Sequence, residues 1–411
     1  MRSYGFILLI FLSLLNISFG LESKISAEAR LKIENFHDSE VSTSATSSHF
    51  RARFNIELNS NPYKIYFQFQ DSRFLGAQKN SPGLSTSNQT PIDFHQIYGE
   101  TKGLFNGKNK IRFGRFEMPL GKQRLFGKSG WGNYGRSFEG ITNQRNTKKG
   151  DMLFFHLINS ELYPMDDQFD HTINGIYGTT KINPKKGVSK QTIESESLIP
   201  KQEPFYLDYY LFSENIVLAP ESNIKQRQTI GFRITKKFKR FNLESEFAYQ
   251  SGKYYSNNID ASLSSINIHV PIDRKLINGI SFSKEYLSGD EYQLGGSDGV
   301  LGGFAKPFGS GHSFHGYYDN PLHKSFLDNT HSGLNEWFIK TDHLLFSDIN
   351  LTIKFHDFKD AINFDRFGNE LDFVFSKKLP FGGKIVQGVS IYYPENGSRL
   401  EAGYIMVVIK I

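Results

Sequence analysis

The sequence predicts an all-β chain, and three observations carry that reading. Apolar and polar residues alternate with a period of two from one end to the other. Beyond residue 20, no stretch comes near the roughly 18 consecutive apolar residues that a membrane helix needs. Connections between the alternating stretches switch between short and long.

Alternation marks strands with one wet and one apolar face. In HFRARFNIEL, Phe54, Ile56 and Leu58 oppose Arg51, Arg53, Asn55 and Glu57. KIYFQFQ sets Ile65, Phe67 and Phe69 against Tyr66, Gln68 and Gln70, and TIGFRIT sets Ile230, Phe232 and Ile234 against Gly231 and Arg233. In FNLESEFAYQ, Leu243, Phe247 and Tyr249 oppose Glu244, Glu246 and Gln250. The polar faces carry Arg and Glu and so require water on one side. Hydrophobic residues are only 38% of the chain, yet aromatics reach 15%. That balance does not suit disorder. It suits a membrane barrel, whose strands are apolar on one face and carry aromatic girdles.

The chain opens MRSYGFILLIFLSLLNISFG, with Arg2 as its only early charge and Ser18-Phe19-Gly20 as a small-residue cleavage site. This reads as a cleaved N-terminal signal peptide over residues 1–20. No cysteine occurs anywhere, so a lipid anchor at a cysteine, a disulfide framework and a thiolate metal site are all excluded. The formal net charge of +6 would ordinarily raise nucleic acid as a partner, but an export signal speaks against it.

Short connections are expected at 59–62, 106–109, 146–149, 237–240, 271–274, 346–348 and 380–383, and long ones at 37–47, 76–92, 119–134, 160–171, 288–332 and 359–368. Bacterial outer-membrane barrels have short periplasmic turns and long extracellular loops. Residues 21–411 therefore read as one transmembrane antiparallel up-and-down β-barrel of about 18 strands, an even number as such barrels require. The location this implies is the outer membrane of a Gram-negative bacterium, in contact with its lipid. Two connections break the rhythm. The long 181–203 falls at a periplasmic position and could meet a periplasmic partner, and the short PENGS turn near Pro394 falls outside. The apolar C-terminal strand, ending Ile405, Val407, Ile409 and Ile411, is the expected handle for the barrel-assembly machinery, although the final residue is not aromatic.

One segment stands apart, IRFGRFEMPLGKQRLFGKSGWGNYGRSFEG (111–140). Between Lys108 and Arg145 lie nine Lys or Arg against two acids, Glu117 and Glu139, and seven glycines fall between Gly114 and Gly140. Strand, glycine-rich basic loop and strand follow one another. A change of alternation after Phe113 suggests a bulge at Gly114. Arginine suits a constriction that selects anions or carboxylated sugars, because its planar fork binds carboxylate bidentately and keeps its charge. The competing reading is that Arg115–Glu117 and Arg136–Glu139 pair to brace a loop folded into the lumen. Trp131 and Phe138 suit loop packing better than a sugar platform.

Other clusters carry less. His312, His315, His323, His331 and His343 crowd one region but lack a ligand pattern for metal. Asp290, Glu291 and Asp298 lack the EF-hand spacing. No nucleophile elbow, zinc-protease motif or P-loop is present, so neither catalysis nor a cofactor is expected.

At QDSRFLG (70–76), FGRFEMPLGKQRLFG and WGNYGRSFEG the sequence resembles the alginate-export family of outer-membrane channels, with further likenesses at AYQSG (248–252), YLSGD (286–290) and GNELDF (368–373). The resemblance implies a wide barrel whose luminal arginines attract a polyuronate. Residue by residue it points to Arg73, Arg115, Arg124 and Arg136, with Asp71, Glu117 and Glu139 as balancing acids. The expected function is passive diffusion of hydrophilic, anionic or saccharide solutes. The alternatives are a barrel enzyme acting on lipid or peptide, and a secreted β-sandwich that binds polysaccharide.

Overall fold

The computed structural model describes residues 21–38, 43–75, 90–104, 107–160, 170–183, 203–218, 223–272, 274, 276–291, 299–317, 329–380 and 382–411. The expected signal peptide and the core of the 181–203 connection lie outside the described residues. Nineteen strands form one sheet. In chain order they are β1 (Glu22–Asp38), β2 (Thr43–Ser60), β3 (Tyr63–Phe74), β4 (Thr90–Leu104), β5 (Asn109–Phe116), β6 (Phe138–Thr147), β7 (Gly150–Ser160), β8 (His171–Ile182), β9 (Phe205–Leu218) and β10 (Asn223–Lys237). There follow β11 (Asn242–Tyr254), β12 (Asn257–Pro271), β13 (Ile277–Leu287), β14 (Val300–Leu301), β15 (Leu334–Leu344), β16 (Asn350–Lys359), β17 (Arg366–Lys378), β18 (Lys384–Pro394) and β19 (Leu400–Lys410). Apart from the two-residue β14, which runs parallel to β12, each strand pairs antiparallel with the next, and β19 pairs with β1. The result is a closed barrel of 18 strands.

Closure removes the sheet edge, which is what a bilayer demands of a β-structure. Every short turn foreseen in the sequence falls on one rim, together with the long connection between β8 and β9, and the other long connections foreseen and the 395–399 turn fall on the opposite rim.

Register fixes which face is which. Arg51, Arg53, Asn55 and Glu57 of β2 lie opposite Ser72, Gln70, Gln68 and Tyr66 of β3, and these point inward. The alternate set points outward: Ile33, Phe54, Ile65, Phe113, Ile141, Phe232, Phe247, Phe282 and Ile405 are all among the exposed apolar side chains. Tyr63 stands near the short-turn rim, and Tyr255 and Tyr393 near the other, as interfacial aromatics do.

One local expectation needs correction. Gly114 is no bulge, because the ladders of β5 with β4 and β6 run through it without a shift. It has φ +120, and a Cβ there would sit 2.4 Å from the Ile97 carbonyl oxygen, so close backbone approach explains the glycine. The bulge lies in β4 instead, where Gln96 faces Gln68 and Phe94 faces Phe69, leaving His95 as the extra residue.

Part of the lumen is dry. Phe155, Leu157, Ile173 and Phe212 on β7–β9 are buried inside the barrel, which reveals that something packs against them.

Candidate functional site

That something is a pair of loops folded inward. The first, residues 117–137, leaves β5 at Pro119, which cannot donate to a ladder. It turns back through Gln123 at φ 66, Ser129 at φ 50 and Gly135 at φ 90. The β1–β3 wall grips its backbone. Arg30 donates to the carbonyls of Gly130 at 2.7 Å and Gly132 at 2.8 Å. Gln70 donates to Tyr134 O at 2.7 Å, and Ser72 to Asn133 O at 3.0 Å. The Glu117 carboxylate sits between Arg53 at 3.1 Å and His95 at 3.0 Å. Burial alone would raise that carboxyl, but the hydrogen bond from His95 and the charge of Arg53 outweigh it and hold it below the usual range.

The second loop, 288–333, enters from the same rim. Gln250 of β11 accepts from Ala305 N at 3.0 Å and donates to Ala305 O at 2.8 Å. Arg227 of β10 donates to Asn329, which donates to Gly303 O. The two loops then pair with each other, Gly127 N to Phe308 O at 2.7 Å and Ser310 N to Gln123 O at 3.0 Å. Phe126 and Phe308, with ring centres 5.2 Å apart, pack on Phe138 and Phe212. The dry part of the wall is thus the seat of the paired loops, and their contact narrows the lumen.

Charge finishes the docking. Inward-facing acids recur along one side of the wall: Glu246 on β11, Glu285 on β13, its ladder partner Glu336 on β15, and Glu370 on β17. Arg124 donates to Glu246 at 3.1 Å and pairs with Glu285. Lys306 lies 3.2 Å from Glu285, and His315 lies 2.6 Å from Glu336. Tyr317 N donates to Glu370 at 2.6 Å. These charges are desolvated, and pairing makes their burial tolerable. Burial, with Arg124 close by, brings the Lys306 ammonium down to about 7.

Open space remains beside the constriction. A chamber of about 820 Å³ is lined by Lys122, Arg124, Lys236, Lys237, Lys340 and Lys354, against the acids Glu203 and Glu244. Serines 281, 283 and 313 and the rings of Phe314, Tyr317 and Phe338 share the lining. Lys122 pairs with Glu244 at 3.7 Å and Lys340 with Asp342 at 2.9 Å, while Lys354 lies 4.6 Å above the Tyr317 ring. A second cavity of about 400 Å³ opens between the loops beside Lys128, Trp131 and Arg136.

The residues singled out in the sequence scatter across this architecture. Arg124 and Glu117 are inside, both fully engaged in ion pairs. Arg136 lies within the first loop and donates to the carbonyls of Gly127 and Phe308, and burial lowers its pKa. Arg115 and Glu139 do not face the lumen. They pair at 2.9 Å on the face that carries Phe113 and Ile141, and Arg115 also donates to the Tyr134 hydroxyl. The expected Arg115–Glu117 and Arg136–Glu139 pairings therefore give way to Arg115–Glu139 and Arg53–Glu117. Asp71 and Arg73 also point outward, opposite Ala52 and Phe50 of β2, because strand parity sets them with Ile65 and Phe67. Trp131 is packed, stacked on His312 and edge-on to Tyr404, and Phe138 is buried. His315 and His331 are buried in the second loop; His323 and Asp298 lie outside the described residues.

The residues that sequence reasoning passed over are Arg30, Arg227, Lys340 and Lys354, together with Arg51 and Arg53 as lumen groups. Their signal was present as the polar face of alternating strands; what hid them was the absence of any motif around them.

A closed 18-stranded barrel with inward loops and a charged lumen defines a porin-type membrane barrel. Solved structures agree on that fold. A BenF-like porin from Pseudomonas fluorescens Pf-5 aligns with TM-score 0.62 at 10% identity, covering 95% of this chain and 98% of its own. OpdL of Pseudomonas aeruginosa gives 0.61 at 12%, covering 95% and 99%. OccK2 (OpdF) of Pseudomonas aeruginosa, in complex with glucuronate, gives 0.59 at 11%, covering 95% and 96%. The alginate-export family model matches residues 16–324, three quarters of the chain, and the chain belongs to that family. No curated protein sequence matches it.

Proposed function

We infer that this chain is a passive channel of a Gram-negative outer membrane that favours hydrophilic anions, carboxylated saccharides among them. Its long-loop rim faces outward and both ends of the described chain face the periplasm. The observation that carries this reading is the chamber beside the constriction, where the inward-facing lysines Lys122, Lys237, Lys340 and Lys354 outnumber the acids Glu203 and Glu244. Ammonium and guanidinium groups lower the barrier for an anion, and the nearby acids keep its binding weak enough for release. Hydroxyls and aromatic rings in the same lining suit a sugar, and glucuronate bound to a solved relative is consistent with a uronate-class solute. The arginines of the first loop brace the constriction; the chamber lysines present charge to the solute. Diffusion needs no catalytic group.

Reversal potentials in a KCl gradient across planar bilayers test this. The parent channel is expected to prefer chloride, and Lys340→Gln with Lys354→Gln to reduce that preference without closing the pore. A parent channel that prefers potassium, or an unchanged preference in the double variant, would remove the anion reading. A folded barrel with no conductance would remove the channel itself.

A further inference from the structure

The outward position of Arg73 gives it a role away from the pore. On β3 the outward residues run Tyr63, Ile65, Phe67, Phe69, Asp71 and Arg73. Tyr63 is 64% exposed at the short-turn rim, and the Arg73 side chain is 58% exposed ten residues on. Ten residues at about 3.4 Å each, on a strand tilted by roughly 40°, rise about 26 Å along the membrane normal. An outer-membrane barrel's apolar band is about 25 Å tall. Tyr63 and Arg73 therefore mark its two edges, and the guanidinium stands at headgroup height on the long-loop side.

Arg73 is pre-oriented there. Its Nε donates to both Asp71 oxygens, at 2.8 and 2.9 Å, which leaves its two terminal nitrogens without a partner among the described residues. Below Asp71 lies a trough of about 290 Å³ in the outer wall. Ala27, Ala29 and Ala52 form its floor, with Ala29 opposite Ala52 in the ladder. Phe54, Phe69 and Ile409 form its sides. Three alanines on two adjacent strands leave a channel with a cationic head.

We propose that the trough and Arg73 hold one phosphate-bearing lipid of the leaflet at the long-loop rim. One acyl chain lies along the alanine floor and the phosphate meets the free edge of the guanidinium. Arginine suits this because its remaining N–H donors can take two phosphate oxygens together. Asp71 faces the same site, and its charge is met by Nε. A second copy of the chain is the competing occupant, but a two-fold contact through this trough would bring two Arg73 side chains to the same height near the axis. The proposal rests on the outer-membrane reading given above.

Native mass spectrometry of the full barrel in detergent, with bisphosphorylated lipid A as the probe, tests it. The parent is expected to retain one lipid A. Arg73→Gln, Ala52→Leu, and dephosphorylated lipid A on the parent should each reduce retention by an order of magnitude. Equal retention in Arg73→Gln, or equal retention of dephosphorylated lipid A by the parent, would overturn the site. Barrel dimers that disappear in Ala52→Leu would assign the trough to a second copy. Folding and conductance are measured in the same preparations. A chain that stays soluble without detergent would remove the membrane reading, whereas a conducting barrel with no bound lipid A would remove only this site.

Discussion

Placing an arginine at Phe232 tests the assignment of faces and depths in a single strand. Phe232 is 42% exposed on the outer face of β10, with Tyr209 and Phe247 as its ladder partners. It lies five residues from the short-turn end at Lys237, about 13 Å up the membrane normal for a strand tilted near 40°. That is the midplane of an apolar band about 25 Å tall, where an outward arginine costs about 2–4 kcal/mol. Gln228 shares the strand and the face but stands nine residues from Lys237, about 23 Å up, where the cost falls to about 0–1 kcal/mol. Phe232→Arg should thus lose about 2–3 kcal/mol more than Gln228→Arg, a difference of roughly 30- to 150-fold in the folding equilibrium. Reversible urea titration from phospholipid vesicles measures both. The outward-facing Trp337 on β15 provides a fluorescence reporter of the lipid-facing wall. Equal losses for the two variants, or a neutral Phe232→Arg, would refute the assignment.

Two further outcomes follow from the buried charges. Arg124→Met leaves Glu246 and Glu285 facing each other without their shared cation. Breaking a buried pair on one side costs about 3–5 kcal/mol, so both loops should loosen and single-channel conductance should rise and fluctuate. Adding Glu246→Gln, which leaves Glu285 to Lys306, should restore quiet conductance; an unchanged Arg124→Met channel would show that this bridge does not hold the constriction. Lys306 behaves as a depressed base, near 7 in the docked loop against an ordinary 10.5. Between those values the unfolded chain binds more protons than the folded one, so stability should rise with pH from about 7 to about 10.5. Lys306→Met should flatten that rise in thermal unfolding curves, and parallel profiles for parent and variant would exclude Lys306 as its source.

The barrel was legible because its cause is periodic. Strand faces such as Arg51/Arg53 against Phe54/Ile56 repeat along the chain, and turns such as 59–62 and 380–383 fall where the alternation pauses. The lumen was legible only in part. Arg115 lies three residues from Arg112, so the two fall on opposite faces of β5, and no motif reports that parity. The partners of Arg124 are 122 and 161 residues away in sequence, and only the path of the folded loop brings them together. Alternation also fades in β7, where Phe154 faces out and Phe155 in. A strand apolar on both faces is the local sign that its inner face is covered, and here Phe126 of the first loop packs on Phe155.

The first loop also bears on how the ring stays shut. The ladder that closes the barrel joins β1 to β19, strands from opposite ends of the chain. Residues 130–132 lie across that joint from within: Arg30 and Lys32 of β1 hold their backbone and the Trp131 face, and Tyr404 of β19 meets the Trp131 edge. The loop therefore acts as a clasp on the two free ends of a hoop. Unzipping the wall at that joint requires the clasp to slip first, so the segment that narrows the passage also resists sideways rupture of its wall.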